Sequence, residues 1–314
     1  MINREQLIAR KYRVGSSDSP AIVGVDPYQS IADIYISKTE DLEQIVDKEA
    51  IEIGTEHERP LLAWAARELG INIQLDVHRD SPDGILSSNL DALSLSNKRV
   101  ALEAKTTSNS KDYGEPGSDQ VPDRVIVQCQ HHCYVNELDL VYIPVLMARY
   151  DRLKREIYVV KRNEDLIKSI VTADHFFWNE HVVPHIPPEG MLPSIDVLSR
   201  IIRNPGEITI INRDALSRYE FAKEISERAK ELEVKTRTEL LALSGNAEIL
   251  DFNDPDSVYS YRQQERRDVD TQKLKLLYPN IYDELVKIKE YRVLRKIKRP
   301  RELPIGGSQL LLEE

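Results

Sequence analysis

The stretch Asp91-Ala92-Leu93-Ser94-Leu95-Ser96-Asn97-Lys98-Arg99-Val100-Ala101-Leu102-Glu103-Ala104-Lys105 constrains this chain more than any other. Ser96-Asn97-Lys98-Arg99 reads as a tight turn between two apolar-rich runs, which predicts a β-hairpin. Alternate side chains of a strand share a face, so Ala101, Glu103 and Lys105 point one way and Val100, Leu102 and Ala104 the other. Counting back through the turn sets Asp91 within about one residue of opposite Glu103. Two carboxylates and an ammonium then converge beside an apolar face that can be buried. Buried charges are costly unless paired or bound to a cation, so a strand that only packs gains nothing from them. A solvated hairpin with a Glu–Lys pair fits the same letters, so Glu-x-Lys alone is a weak signal.

A chain of 314 residues can bury a sizeable core in one large domain or two smaller ones. It has no apolar run long enough to span a membrane, and Met1-Ile2-Asn3-Arg4-Glu5-Gln6 lacks an apolar signal region. Cys129 and Cys133, the only two cysteines, lie four apart in a predicted helix and suit a reduced, cytoplasmic protein. The net charge of −10 argues against a generally basic nucleic-acid binder. All of the excess lies in residues 1–190, which hold 21 Lys+Arg against 31 Asp+Glu, whereas residues 191–314 hold 22 of each. An acidic site accepts a polyanion only with cations present, which favours a metal-dependent enzyme.

Residues 4–12 read as a short helical lead-in. Arg13-Val14-Gly15-Ser16-Ser17-Asp18-Ser19-Pro20 then opens a helix with Ser17 or Asp18 as N-cap, Pro20 in its first turn and Gly24 at its stop. Such a start beside Arg13 suits a phosphate, and equally an ordinary capped helix. A second helix is predicted over residues 31–38. A longer one, over 49–70, contains Gly54 and Pro60, which place the helix proper from about Glu56 and Glu58 onward. Residues 71–77 alternate as a strand. A polar loop runs from Thr106 to Pro122, and a helix over 123–137 carries Gln128, Gln130, His131, His132 and Tyr134. Neighbouring residues on a helix diverge, so Cys129, His131, His132 and Cys133 are poor zinc ligands. Strands over 140–148 and 156–161 precede a helix over 163–183. Pro184, Pro187, Pro188 and Gly190 mark a boundary, dividing a core of residues 1–190 from an extension of residues 191–314. The extension holds a long charged helix over 214–243, whose Ala222, Ile225, Ala229 and Leu232 form a seam. It also holds a helix near 270–289 and a basic end with eight Lys or Arg between Lys287 and Arg301.

In combination these segments resemble the YqaJ-like viral recombinase family, relatives of lambda exonuclease within the PD-(D/E)xK nuclease superfamily. Carrying the resemblance, in order, are Arg13-Val14-Gly15-Ser16-Ser17-Asp18; Gly54-x-x-x-Glu58-x-Pro60; Asp91; Leu102-Glu103-Ala104-Lys105-Thr106-Thr107; and Gln128-Cys129-Gln130-His131-His132-Cys133-Tyr134. Tyr150-Asp151 through Lys154-Arg155-Glu156 adds to it. The chain departs from the commoner pattern at Ala92, where a glycine often follows the aspartate, and at Asn89, where a serine is more usual.

The resemblance implies an α/β (α+β), restriction-endonuclease-like core: a mixed central sheet flanked by helices, with a mainly helical C-terminal extension. It implies a Mg²⁺-dependent exonuclease that hydrolyses linear duplex DNA 5′→3′, leaving 3′ overhangs for phage-type recombination. Asp91, Glu103, Glu58 and the Ala104 carbonyl would hold two Mg²⁺ ions, with Mn²⁺ as the alternative. Lys105 would orient or help deprotonate the water, and Gln128 and Gln130, with Tyr134, would order the site. Arg13, Ser17 and Gln128 would bind a terminal 5′-phosphate. A homotrimeric ring around DNA, a single-strand annealing partner and a phage-encoded protein in a bacterial cytoplasm are further implications. Two alternatives are an endonuclease of the same superfamily and a non-catalytic module that binds DNA or a recombinase.

Overall fold

The structure is a computed structural model describing residues 11–43, 48–149, 152–204, 208–253, 258–265 and 268–286. Most of the helical lead-in, Tyr150-Asp151 and the basic segment Lys287–Arg301 lie outside the described residues. The chain divides into two compact units, Met1–Asn204 and Pro205–Glu314.

In the first unit the elements run β1 (Val14–Gly15), α1 (Ser19–Ile22), α2 (Ile31–Thr39), α3 (Lys48–Leu69), β2 (Ile73–Asp80), β3 (Leu86–Ser94), β4 (Val100–Leu102), β5 (Lys105–Thr107), α4 (Asp123–Asn136), β6 (Leu140–Arg149), β7 (Arg152–Lys161), α5 (Glu164–Phe177) and α6 (Ile195–Ser199). A π-helical turn, Trp178–Val182, prolongs α5. The strands form one seven-stranded mixed sheet. β3 pairs antiparallel with β2 along nearly its whole length, so β1 and β4 share its other edge. β4 then joins β6 in parallel, and β7 closes against β6 antiparallel. This is the mixed sheet flanked by helices that the resemblance implies.

Leu62 and Ala65 of α3 cover one face, against Ala92 and Leu102. Val125, Cys129 and Cys133 of α4 and Ile167 of α5 cover the other, against Leu90, Ala101, Val141, Ile143 and Tyr158. Leu90 and Ala92 therefore lie in opposite layers although they are two apart. The β2–β3 ladder pairs Leu75 with Ala92 and Val77 with Leu90 but skips Asp76 and Asp91 between them. Asp76 takes a left-handed φ of 55° there, a conformation that Asp tolerates better than most residues. Asp91 thus lies between Leu90, packed in one layer, and Ala92, packed in the other.

Several boundaries differ from those read in the sequence. α3 begins at Lys48 and runs through Gly54 and Pro60. α1 is only four residues long, ended by Gly24 at φ 80°. β7 begins at Arg152 instead of Glu156, because its exposed charged residues continue the antiparallel ladder to Arg149 at the end of β6. Residues beyond Gly190 still belong to the first unit: the Ser194 N–H donates to Asp33 Oδ1 (2.7 Å) and Ile201 bridges Leu42. A fully buried cluster ties α1, α4 and α5 together. Ser19 Oγ donates to Asp174 Oδ2 at 2.7 Å, and His131 Nδ1 lies 2.7 Å from Ser19 Oγ.

The second unit contains α7 (Arg213–Ser244), the hairpin β8 (Ile249–Asp251) and β9 (Val258–Ser260), α8 (Thr271–Leu277) and α9 (Pro279–Leu285). The single helix expected near 270–289 is two, because Pro279 starts a new one. No described helix is long and apolar enough to cross a membrane.

Candidate active site

Extending the β3–β4 register from Ala92↔Leu102 and Leu93↔Ala101 sets Asp91 opposite Glu103. Strand pairing with β6 lapses at Glu103 and Ala104 and resumes at Lys105↔Val145. The Glu103 N–H donates to the Tyr142 carbonyl at 2.9 Å. The next rung would need an N–H from Pro144, which has none. The freed backbone turns to the site instead: the Ala104 N–H donates to Asp91 Oδ2 at 2.8 Å.

Glu103 is the centre of the cluster and is 4 % exposed. Lys105 Nζ donates to Glu103 Oε1 (3.0 Å) and to Gln128 Oε1 (2.8 Å), while Gln128 Nε2 donates to Glu103 Oε1 (2.7 Å). These three contacts close a triangle between the β4–β5 junction and α4. Burial would raise the Glu103 carboxyl pKa, but Lys105 and His132 outweigh it and hold the group low, as a carboxylate. Burial likewise opposes charge on Lys105, yet Glu103 and Asp91 raise its pKa, so it remains an ammonium. Asp91 is pushed well above the usual carboxylate range, by burial first and then by Glu103 and Glu58. Glu58, half-buried on α3, is raised by burial and by the charges of Glu103 and Asp76.

Three carboxylates thus crowd one ammonium and raise each other's cost of ionisation. Hard oxygen donors in such excess suit Mg²⁺ or Mn²⁺. The residues present fit a divalent cation by their chemistry. Among the described residues they do not form a ready-made cluster of three ligands. Asp91 Oδ2 is instead engaged by the Ala104 N–H, and Glu103 Oε1 by Lys105 and Gln128.

Not every residue expected here reaches the site. Gln130, one position beyond the helix face of Gln128, turns away: its Nε2 donates to the Lys161 carbonyl, and its Oε1 accepts from the Asn163 N–H. Residues two apart on a helix point about 200° from one another, which the shared letters Gln-x-Gln conceal. Gln130→Ala is therefore expected to cost about 1–2 kcal/mol of stability through two orphaned backbone groups, with cleavage retained, as read by thermal melts beside a nuclease assay. Tyr134 packs between two core clusters. Arg13 pairs with Asp80 at 3.0 Å, Ser17 is exposed, and α1 is too short for a helix-start anion site. His131 and His132 face different partners, the first reaching the Ser87 carbonyl and the second Ser88 Oγ. His132 was passed over in the sequence as a weak zinc candidate, yet it stands behind Glu103, with Nε2 3.4 Å from Oε2.

Residues 6–139 match the model of the YqaJ-like viral recombinase domain. The uncharacterized protein YqaJ of Bacillus subtilis (strain 168) is 27 % identical over 313 residues, covering 93 % of each chain. Among solved structures, an alkaline exonuclease (LHK-Exo) from Laribacter hongkongensis superposes with a TM-score of 0.46 at 18 % identity, over 59 % of this chain and 94 % of that one. A phage-related exonuclease from Haemophilus somnus 129PT gives 0.41 at 12 %, over 57 % and 99 %.

Proposed function

We propose that this chain, whose residues 6–139 carry a YqaJ-like viral recombinase domain, is a divalent-cation-dependent deoxyribonuclease acting 5′→3′ on linear duplex DNA to leave 3′ single strands. The observation that carries this reading is the Glu103–Lys105–Gln128 triangle facing Asp91. An ammonium held charged against a buried carboxylate, beside two further carboxylates of raised pKa, suits phosphodiester hydrolysis. That reaction needs hard-cation ligands and a positive group for the phosphorane.

Asp91, Glu103 and Glu58, with the Ala104 carbonyl, are the residues that would hold Mg²⁺ or Mn²⁺. Such a cation supplies an acidified water and neutralises charge at the phosphoryl oxygens. Lys105 would orient the water and donate a hydrogen bond and positive charge to the phosphoryl group. Gln128 locks Lys105 and Glu103 in one arrangement, limiting the reorganisation needed when charge develops. Arg13 and Ser17 would meet the 5′-phosphate, together with Gln128. Arg13 enters β1, whose partner Ser87 is four residues from Asp91 on β3, or about 13 Å along a strand. A ring of copies around the duplex, an annealing partner for the product strand and action in a bacterial cytoplasm belong to the same proposal.

The test is digestion of linear duplex labelled separately at each end, with and without a 5′-phosphate. The reading expects loss of the 5′ label first, faster with the phosphate, and persistence of the 3′-labelled strand. Equal cleavage of closed circular DNA would favour the endonuclease alternative.

A further inference from the structure

His132 is wholly buried on α4, and both its Nε2 and the Glu103 Oε2 that faces it lack a hydrogen-bond partner. At 3.4 Å the two atoms are a few tenths of an ångström beyond hydrogen-bond reach. The other side of the ring meets Ser88, which Asn136 holds in turn. Asn136 Nδ2 donates to the His132 carbonyl at 3.1 Å, which identifies that atom as the amide nitrogen because a carbonyl only accepts. The same nitrogen donates to Ser88 Oγ at 2.6 Å. That leaves the Ser88 hydroxyl proton available to His132 Nδ1, 2.6 Å away. With the Ser88 proton on that bond, Nδ1 is the acceptor and the proton of a neutral ring sits on Nε2, on the side of Glu103 Oε2.

We propose that His132 is a positioning residue, held by Ser88 and Asn136 as the Nε2–H tautomer, which fixes the Glu103 carboxylate from behind for cation binding. Resting on the nuclease reading, this adds a supporting layer that Gln-x-Gln does not disclose. Lys105 and Gln128 both use Oε1, so His132 provides the one described donor on the Oε2 side. Without it the carboxylate can turn about its last bond. Partners of this kind orient metal-binding groups elsewhere, and their loss typically weakens metal affinity 10–100-fold.

The experiment uses the full chain without DNA and measures Mn²⁺ binding by calorimetry for wild type, His132→Gln, His132→Leu and Ser88→Ala. Gln can place an N–H near the Nε2 position, whereas Leu cannot. Affinity about 10–100-fold weaker in His132→Leu, recovered to within a few-fold in His132→Gln, is the expected result. Ser88→Ala should fall between them, because the tautomer is freed but the ring remains. A folded His132→Leu with wild-type affinity overturns the proposal. Should His132→Leu fail to fold, nitrogen NMR of ¹⁵N-histidine-labelled wild type decides: a protonated Nε2 with bare Nδ1 supports it, and the opposite tautomer overturns it. A wild type that binds no Mn²⁺ defeats the nuclease reading itself, and this inference with it. Wild-type binding with an unaffected His132→Leu defeats the inference alone.

Discussion

Asp91→Asn is expected to give a protein that melts higher than wild type and cuts DNA about 10³-fold more slowly, the several kcal/mol that cation stabilisation of the transition state provides. Both effects have one origin. Asp91 is buried beside Glu103 and Glu58, and all three press its pKa upward from 3.8. An amide oxygen still accepts the Ala104 N–H, so the local fold survives, but the charge that repels its neighbours is gone. Removing it should stabilise the cation-free protein by about 1 kcal/mol, or roughly 2–4 °C, as seen for other strained functional sites. The pH dependence has a definite sign. Between pH 3.8 and the raised native value, the folded state binds the proton more tightly than the unfolded chain does. Stability of the wild type therefore falls as pH rises through that window, and the gap to Asp91→Asn opens with it. Melting curves across pH 4–8, with and without Mg²⁺, read this directly: the cation should raise the wild-type midpoint and leave the variant's almost unmoved.

Lys105→Ala is expected to act in the other direction on stability and the same direction on rate. Lys105 is the cation against which Glu103 is buried, with contacts of 3.0 Å to that carboxylate and 2.8 Å to Gln128. Removing it leaves an uncompensated buried charge, which should cost about 3 kcal/mol. The transition state loses its nearest ammonium donor, worth about 10²–10³-fold in rate. Mg²⁺ should return part of the lost stability, because a cation can replace the missing charge. It should not return the activity, because it does not replace the donor. That split between melting temperature and rate separates a role in the reaction from a merely structural one.

The hairpin that dominates the sequence is legible because strand alternation and a short turn leave little freedom: the turn is five residues, 95–99, instead of four, and Asp91 comes opposite Glu103, within the one residue expected. The arrangement of helices on a mixed sheet came from the resemblance. What escaped the sequence depended on partners distant along the chain. The lapse at Glu103–Ala104 comes from Pro144 on β6, some forty residues on, and turns the Ala104 N–H toward Asp91. The unpaired Asp76–Asp91 position, with Asp76 at φ 55°, is hidden by an alternating strand pattern. Gln130 looks equivalent to Gln128 until the helix is placed against β7, where it serves the start of α5. Adjacent His131 and His132 look like one feature, yet they serve a buried anchor on Ser19 and Asp174 and the rear of Glu103. The helix over residues 213–244 was read correctly in extent, since its long polar repeat and Gly245 stop are local signals.

The most direct test of the central claim follows nucleotide release from 5′-phosphorylated linear duplex by cation-free wild type and Lys105→Ala, before and after Mg²⁺ is added. The account predicts release by the wild type only, only after Mg²⁺, and ending with a 3′ single strand. Release before Mg²⁺ is added, or equal release by Lys105→Ala, would contradict it.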